Sequence, residues 1–184
     1  HICGSSSDGS VGCWGNNRAG QLAREPVNEI LEFETIEGLT NVTSVCTNSG
    51  HSCVVANEGA VYCWGNNDNG QLGRPERDHP IGQFSPEPVP AQVLGLSPAT
   101  DVACGSYHSC AALEDGSSRC WGLNSYGQTG TASYEENEEA VWLWDPGLTD
   151  VESIVASGYS TCALTQEGKV FCWGKHVFGS YFEE

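Results

Sequence analysis

Cysteine and histidine are the residue types in this chain best suited to chemistry, as metal ligands, nucleophiles or covalent cross-links. Ten cysteines are spread over 184 residues, and Cys46, His51, Cys53 and Cys104, His108, Cys110 have the short spacings of zinc ligands. A second pattern competes with that reading. Cys3 and Cys13, Cys53 and Cys63, Cys110 and Cys120, and Cys162 and Cys172 are all ten residues apart. A zinc site would have to take Cys53 and Cys110 away from the partners this repeated spacing gives them, so disulfides are expected and no metal. His51 and His108 are then structural residues. Paired thiols leave no cysteine nucleophile, and no Ser/His/Asp set, phosphate-cradling loop or pair of catalytic carboxylates stands out. Neither an enzyme nor a cofactor is expected.

Each ten-residue spacing needs an element that brings its ends together. Between the cysteines lie Ser7-Asp8-Gly9, Asn57-Glu58-Gly59, Glu114-Asp115-Gly116 and Gln166-Glu167-Gly168, each a three-residue turn ending in Gly. With apolar and β-branched residues on either side, these read as β-hairpins closed by a type I turn and a left-handed Gly bulge. If Ala56 and Ala60 form the closing hydrogen-bonded pair, Cys53 falls opposite Cys63 at a non-hydrogen-bonded position. Cα atoms there approach to about 4.5 Å, within the roughly 4.4–6.8 Å a disulfide accepts. Each second cysteine is followed by Trp-Gly: Trp14, Trp64, Trp121 and Trp173. Three copies continue through an Asn-containing turn into Gly-Gln, ending at Gln21, Gln71 and Gln128. A large ring beside a Gly-rich turn suits close packing of one small sheet on the next, so the tryptophans are expected in the core.

The tryptophans are spaced by 50, 57 and 52 residues, a period of propellers and solenoids. Neither the Trp-Asp ending of WD repeats nor the Gly-Gly of kelch repeats is present. The stretches CVVANEGAVYCWGNNDNGQLG, CAALEDGSSRCWGLNSYGQTG and CALTQEGKVFCWG resemble the regulator-of-chromosome-condensation repeat family in a cysteine-rich form. That resemblance implies an all-β propeller with one four-stranded sheet per repeat, seven in the complete ring. This chain holds fewer: a single repeat domain, residues 1–184, with repeats near 1–40 (partial), 41–97, 98–148 and 149–184 (partial). Lys175, His176 and Ser180 depart from the expected Asn and Gln positions. A fragment of a longer polypeptide, a ring completed by several chains and an open stack all remain possible. Because propeller blades bring inner strands together, a Cys46–Cys104 bridge between repeats is predicted. Both cysteines are read as occupying equivalent places, with Ala156 their counterpart in the last repeat.

Seven basic against 24 acidic residues give a net charge of −17, which opposes binding to nucleic acid or an anionic membrane. Ten cysteines in five pairs argue for an oxidising compartment, so the protein is expected to be extracellular, secreted or on the cell surface. There is no apolar run long enough to cross a membrane. The chain has no Met and begins at His1, which reads as a processed, trimmed or excerpted product.

The links between repeats read as containing outer strands at Phe33–Ile36 and Ala91–Leu96, with the second repeat's inner strand at Val42–Val45, and they carry the candidate contact residues. Asn41-Val42-Thr43 is a glycosylation sequon. The insertion Arg74–Pro90, rich in Pro and charge, includes Phe84 and projects as a partner loop or a tolerated surface insertion. The cluster Tyr134–Glu139 reads as a solvated acidic turn rather than a calcium loop, since it lacks the interleaved Asp/Asn/Gly pattern. Trp142 and Trp144 follow in an expected outer strand. The tail offers Phe178, Tyr181 and Phe182, which could supply a strand to another subunit or to the start of this chain. These six aromatic residues are the interface candidates. The expected function is an extracellular disulfide-stabilised scaffold for protein–protein interaction or structural assembly, such as a fibre or surface-structure subunit, whose partners are proteins through self-association or neighbouring subunits. The alternatives are a secreted propeller that inhibits a target enzyme and a guanine-nucleotide exchange factor-like module, for which no exchange-specific insertion is found.

Overall fold

The computed structural model describes residues 1–74, 83–131 and 145–175, together with the backbone of residues 181 and 182. The described residues are all-β. The first sheet comprises β1 (Ile2–Ser5), β2 (Val11–Asn17) and β3 (Val27–Thr35). The second comprises β4 (Ser44–Asn48), β5 (His51–Ala56), β6 (Ala60–Asn66) and β7 (Pro86–Gln92). The third has β8 (Ala99–Cys104), β9 (His108–Leu113) and β10 (Ser118–Gly122). The fourth has β11 (Val151–Ser157), β12 (Ser160–Thr165), β13 (Val170–Gly174) and β14 (Tyr181–Phe182). All pairings are antiparallel and sequential, so each sheet is a meander made by one repeat.

Turn chemistry sets the hairpins. Gly9, Gly116 and Gly168 have φ near +80°, and their N–H groups donate to the carbonyls of Ser6, Leu113 and Thr165 at 2.9 Å. That is the expected turn with its left-handed third residue. The second hairpin departs from expectation: Asn57 and Glu58 also take positive φ, 48° and 68°. Its Asn57 Oδ1 accepts from Thr40 N–H (3.1 Å) and Thr40 Oγ1 (2.8 Å), so the turn is tied to the preceding link. Asn bears a left-handed conformation at low cost, which makes this anchoring possible.

Three strand limits differ from the sequence reading. The first outer strand starts at Val27 rather than Phe33, and the inner strand of the second repeat starts at Ser44 rather than Val42. Asn41 at φ 51° interrupts the extended chain, and Val42 N–H donates instead to the Gly9 carbonyl of the previous repeat. β7 runs over Pro86–Gln92, not from Ala91 to Leu96. Its prolines are tolerated because it lies at the sheet edge, where one side needs no donor.

The sheets stack in chain order, with inner strands β1, β4, β8 and β11 adjacent in turn. Between the first and second sheets lie Val11, Cys13 and Leu22 against Val54, Ala56 and Trp64. Cys53, Val55, Val61 and Leu72 meet Val102, Ala111 and Trp121 at the next interface. At the third, Cys110, Ala112 and Cys120 meet Ile154 and Ala163, with Trp173 packed alongside. Each of these tryptophans therefore packs on the repeat before it. Trp64 and Trp121 are fully buried, whereas Trp14 is only half-buried and rests edge-on against Phe33 at 5.8 Å. The expectation of four core tryptophans thus holds for Trp64 and Trp121 but not for Trp173, which is partly buried, or for Trp14, whose outer side no described repeat covers.

Candidate functional site

All ten cysteines are bonded. Cys3–Cys13, Cys53–Cys63, Cys110–Cys120 and Cys162–Cys172 link directly opposed residues, with Cα separations of 4.1, 4.2, 4.0 and 4.1 Å. Cys46–Cys104 joins the second repeat to the third at a Cα separation of 5.4 Å. The premise behind that bridge needs correction, because the two cysteines are not equivalent. Cys46 stands opposite Cys53, whereas Ala103 stands opposite Cys110 and Cys104 lies one residue further on. One residue along a strand reverses the face a side chain occupies. Equivalent residues of consecutive sheets point the same way and cannot meet; this offset turns Cys104 back towards Cys46. In the fourth repeat Val155 is the counterpart of Cys46 and Ala156 that of Cys104.

The cysteines and histidines with zinc-like spacing are engaged in other bonds. Sulfurs of Cys46, Cys53 and Cys104 lie within 4.8 Å of one another, but each is held in a disulfide and lacks a thiolate lone pair to offer. His51 and His108 are directed elsewhere, into the next repeat. His51 Nε2 lies 2.9 Å from Ser109 Oγ, and His108 Nε2 lies 2.8 Å from Thr161 Oγ1. His1 reaches Ser52 Oγ in the same way at 2.9 Å. Ser52, Ser109 and Thr161 donate their own protons to the carbonyls of Gln21, Gln71 and Gln128, each at 2.9 Å. The hydroxyl is therefore an acceptor towards the histidine, which fixes the Nε2–H tautomer. Those same carbonyls accept the indole N–H of Trp64, Trp121 and Trp173 at 2.9 Å.

This relay has an electrostatic consequence. His51 is fully buried, its Nδ1 has no partner, and burial pushes its pKa down to about 3, with His108 a smaller contributor. Burial likewise lowers His108 to about 4. Both rings are neutral at ordinary pH. Gly105 is part of the reason His108 fits, since a Cβ there would lie 2.0 Å from the ring.

The Asn and Gln of the repeated turn are also structural. Asn17, Asn67 and Asn124 accept from the N–H groups of Leu22, Leu72 and Thr129. Gln21, Gln71 and Gln128 accept from those of Ala19, Asn69 and Tyr126. Sequence reasoning missed the hydroxyls beside the histidines, although His-Ser-Cys at His51 and His108 and Ser-Thr-Cys at Ser160 carried the signal. It also missed Asp101, which accepts from Ser44 Oγ (2.7 Å), Val102 N–H (2.9 Å) and Ile154 N–H (3.1 Å). One carboxylate thereby joins three consecutive repeats, and an acid inside the inner strand β8 was the one signal of it in the sequence.

The candidate contact residues are dispersed. Phe84 is 59% exposed, and Asn41 is exposed beside a partly exposed repeat edge. Trp142, Trp144, Phe178 and the acidic cluster Tyr134–Glu139 lie outside the described residues. The backbone of Tyr181 and Phe182 pairs with Phe171 and Val170 as the fourth strand of its own sheet. The tail thus forms the edge strand of this chain's last repeat. Further exposed apolar groups are Val27, Leu31 and Phe33 on β3.

Four stacked antiparallel sheets, each made by one repeat, define a β-propeller-type protein. Models of the "Regulator of chromosome condensation (RCC1) repeat" match residues 58–112 and, in a second form, 42–71, 99–128 and 151–180. These matches span more than half of the chain, which belongs to the RCC1-repeat family. Protein pim1 of Schizosaccharomyces pombe is 32% identical over 193 residues, covering 95% of this chain and 35% of that protein. The mitochondrial RCC1 domain-containing protein RUG3 of Arabidopsis thaliana is 32% identical over 94 residues, covering 51% of this chain and 21% of that protein. Among solved structures, human WBSCR16 superposes with a TM-score of 0.78 at 24% identity, over 94% of this chain and 45% of that one. Yeast RCC1 (Prp20), solved bound to Kap60, superposes at 0.75 and 23% identity over 95% and 40%. The chain spans about a third or less of the curated relatives' length.

Proposed function

We propose that this chain is part of a disulfide-locked RCC1-repeat scaffold that binds other proteins in an oxidising, extracellular setting. The observation that carries the reading is the pairing of all ten cysteines. Disulfides persist where no thiol pool reduces them, and here one of them locks two repeats together. A scaffold stiffened in this way holds its loops and edges in fixed relation, which lowers the ordering cost of binding. A net charge of −17 suits a cationic partner surface. Exposed Leu31, Phe33 and Phe84 supply apolar contact area beside it.

The test isolates the protein from its source with free thiols alkylated during lysis, followed by peptide mapping without reduction. The reading expects no alkylated cysteine and a Cys46–Cys104 cross-linked peptide; free thiols in the native protein would overturn the oxidising setting. Light scattering on the same material separates the modes of binding. Concentration-dependent growth supports structural self-assembly, whereas a monodisperse chain that captures one foreign protein supports the inhibitor-type binder.

A further inference from the structure

We propose that Tyr107, Tyr126 and Tyr159 form a recognition site for the ammonium group of a lysine side chain on a partner protein, a site Lys175 of this chain fills in the partner's absence. The Tyr126 and Tyr159 rings are 5.1 Å apart and steeply inclined, at 68°. Tyr107 joins Tyr159 at 5.9 Å. Lys175 Nζ lies 4.7 Å from the centre of the Tyr126 ring and 5.3 Å from that of Tyr159. Both distances are within the range at which a ring's negative face attracts a cation. Among the described residues no carboxylate lies at ion-pair distance from Lys175, so the rings are its charge partners.

The backbone holds the cluster in place. Tyr107 and Tyr159 carbonyls accept from Leu123 and Lys175 N–H at 2.8 and 2.9 Å. Ser106 N–H donates to the Gly158 carbonyl at 2.8 Å, tying the third repeat to the fourth, and Tyr126 N–H donates to Gln128 Oε1 at 2.8 Å. The repeat itself does not demand these residues. The counterpart of Tyr107 and Tyr159, directly before the first residue of the second strand, is Gly50 in the second repeat. Tyr126 is replaced by Ala19 and Asn69 in the earlier turns, and Lys175 by Asn16 and Asn66 after Trp-Gly. Three phenol rings and a cation are therefore gathered at one end of two adjacent repeats where the fold is satisfied by Gly, Ala and Asn. Tyr126 remains 43% exposed, leaving a path for an incoming side chain. The strongly acidic chain draws cationic partners towards it.

The proposal deepens the protein-binding reading by naming the group recognised. Its test titrates the oxidised protein, followed by NMR, with the capped peptide Gly-Lys-Gly, its norleucine counterpart and tetramethylammonium chloride. Removing the internal competitor with Lys175→Ala should tighten Gly-Lys-Gly binding about fivefold, the size of one exposed cation–π contact. Tyr126→Leu in that background should remove the gain, with thermal unfolding unchanged as the control for folding. Equal binding of the norleucine peptide, or no gain in Lys175→Ala, would overturn the site. Binding of tetramethylammonium without the lysine peptide would overturn the protein partner in favour of a small quaternary ligand. A natural partner whose capture ignores Tyr126→Leu would leave the scaffold reading standing while removing this site.

Discussion

The buried histidines make stability depend on pH in a window where carboxylates contribute little. An unfolded histidine takes up its proton near pH 6.5, whereas His51 and His108 resist protonation down to about 3 and about 4. A native-state pKa below the unfolded value means the stabilisation is complete above pH 6.5 and is lost as pH falls towards the native value. At pH 5 the unfolded chain is favoured by about 1.5 protonation decades per residue, or about 2 kcal/mol each at 1.36 kcal/mol per decade. The pair should therefore lower unfolding free energy by about 4 kcal/mol between pH 7.5 and 5. Urea unfolding of the oxidised chain at half-unit steps measures this directly. His51→Gln and His108→Gln keep an amide donor towards Ser109 and Thr161 while removing the titration, so each should flatten the profile by about 2 kcal/mol. A profile that keeps its full slope in the double variant, or a folded-state NMR midpoint near 6.5 for either ring, would refute the reasoning.

Three further outcomes follow from the same contacts. Replacing both Cys46 and Cys104 with Ser should cost about 4 kcal/mol in unfolding experiments, from the 58-residue separation it releases, against about 3 for a ten-residue hairpin bridge. Asp101→Ala removes acceptors from Ser44, Val102 and Ile154 and should lower stability by about 2–3 kcal/mol, with hydrogen exchange rising at the Ile154 amide. Gln128 Nε2 is buried without a partner, whereas Gln21 Nε2 donates to Asn16 Oδ1 at 3.0 Å. Leu123 occupies the place of Asn16, so Leu123→Asn should raise the melting temperature by the worth of one hydrogen bond, about 1 kcal/mol.

Local signals carried the hairpins, since a ten-residue spacing around a Gly-ended turn leaves one register that opposes the cysteines. The stacking of repeats was legible from Trp-Gly and from the match to the family's repeat. What was not legible depends on a single residue of register or on a neighbour in another repeat. Cys104 looked equivalent to Cys46 because their distances to the following histidines differ by only one residue, yet that residue decides which face each occupies. The partners that make His51 and His108 structural, Ser109 and Thr161, were not legible because they are 58 and 53 residues away. The tyrosine cluster was invisible for the same reason: Tyr107, Tyr126, Tyr159 and Lys175 meet only after two repeats have folded against each other. Trp14 shows the converse, a core-type residue that no described repeat covers on its outer side.

The outermost strand of the second repeat limits how such scaffolds can join. Ser85 accepts from Asn67 N–H and Val93 N–H donates to Val61 at the two ends of this stretch, and between them the register on β6 shifts from Glu87 to Ala91. Pro86, Pro88 and Pro90 have no backbone N–H, so a strand arriving at this edge finds fewer donors. The rim of the first repeat is guarded differently, by Glu29, Glu32 and Glu34. Lateral growth by sheet-to-sheet zippering is thereby disfavoured along the outer strands of these two repeats, which leaves side-chain contacts as the way to join there.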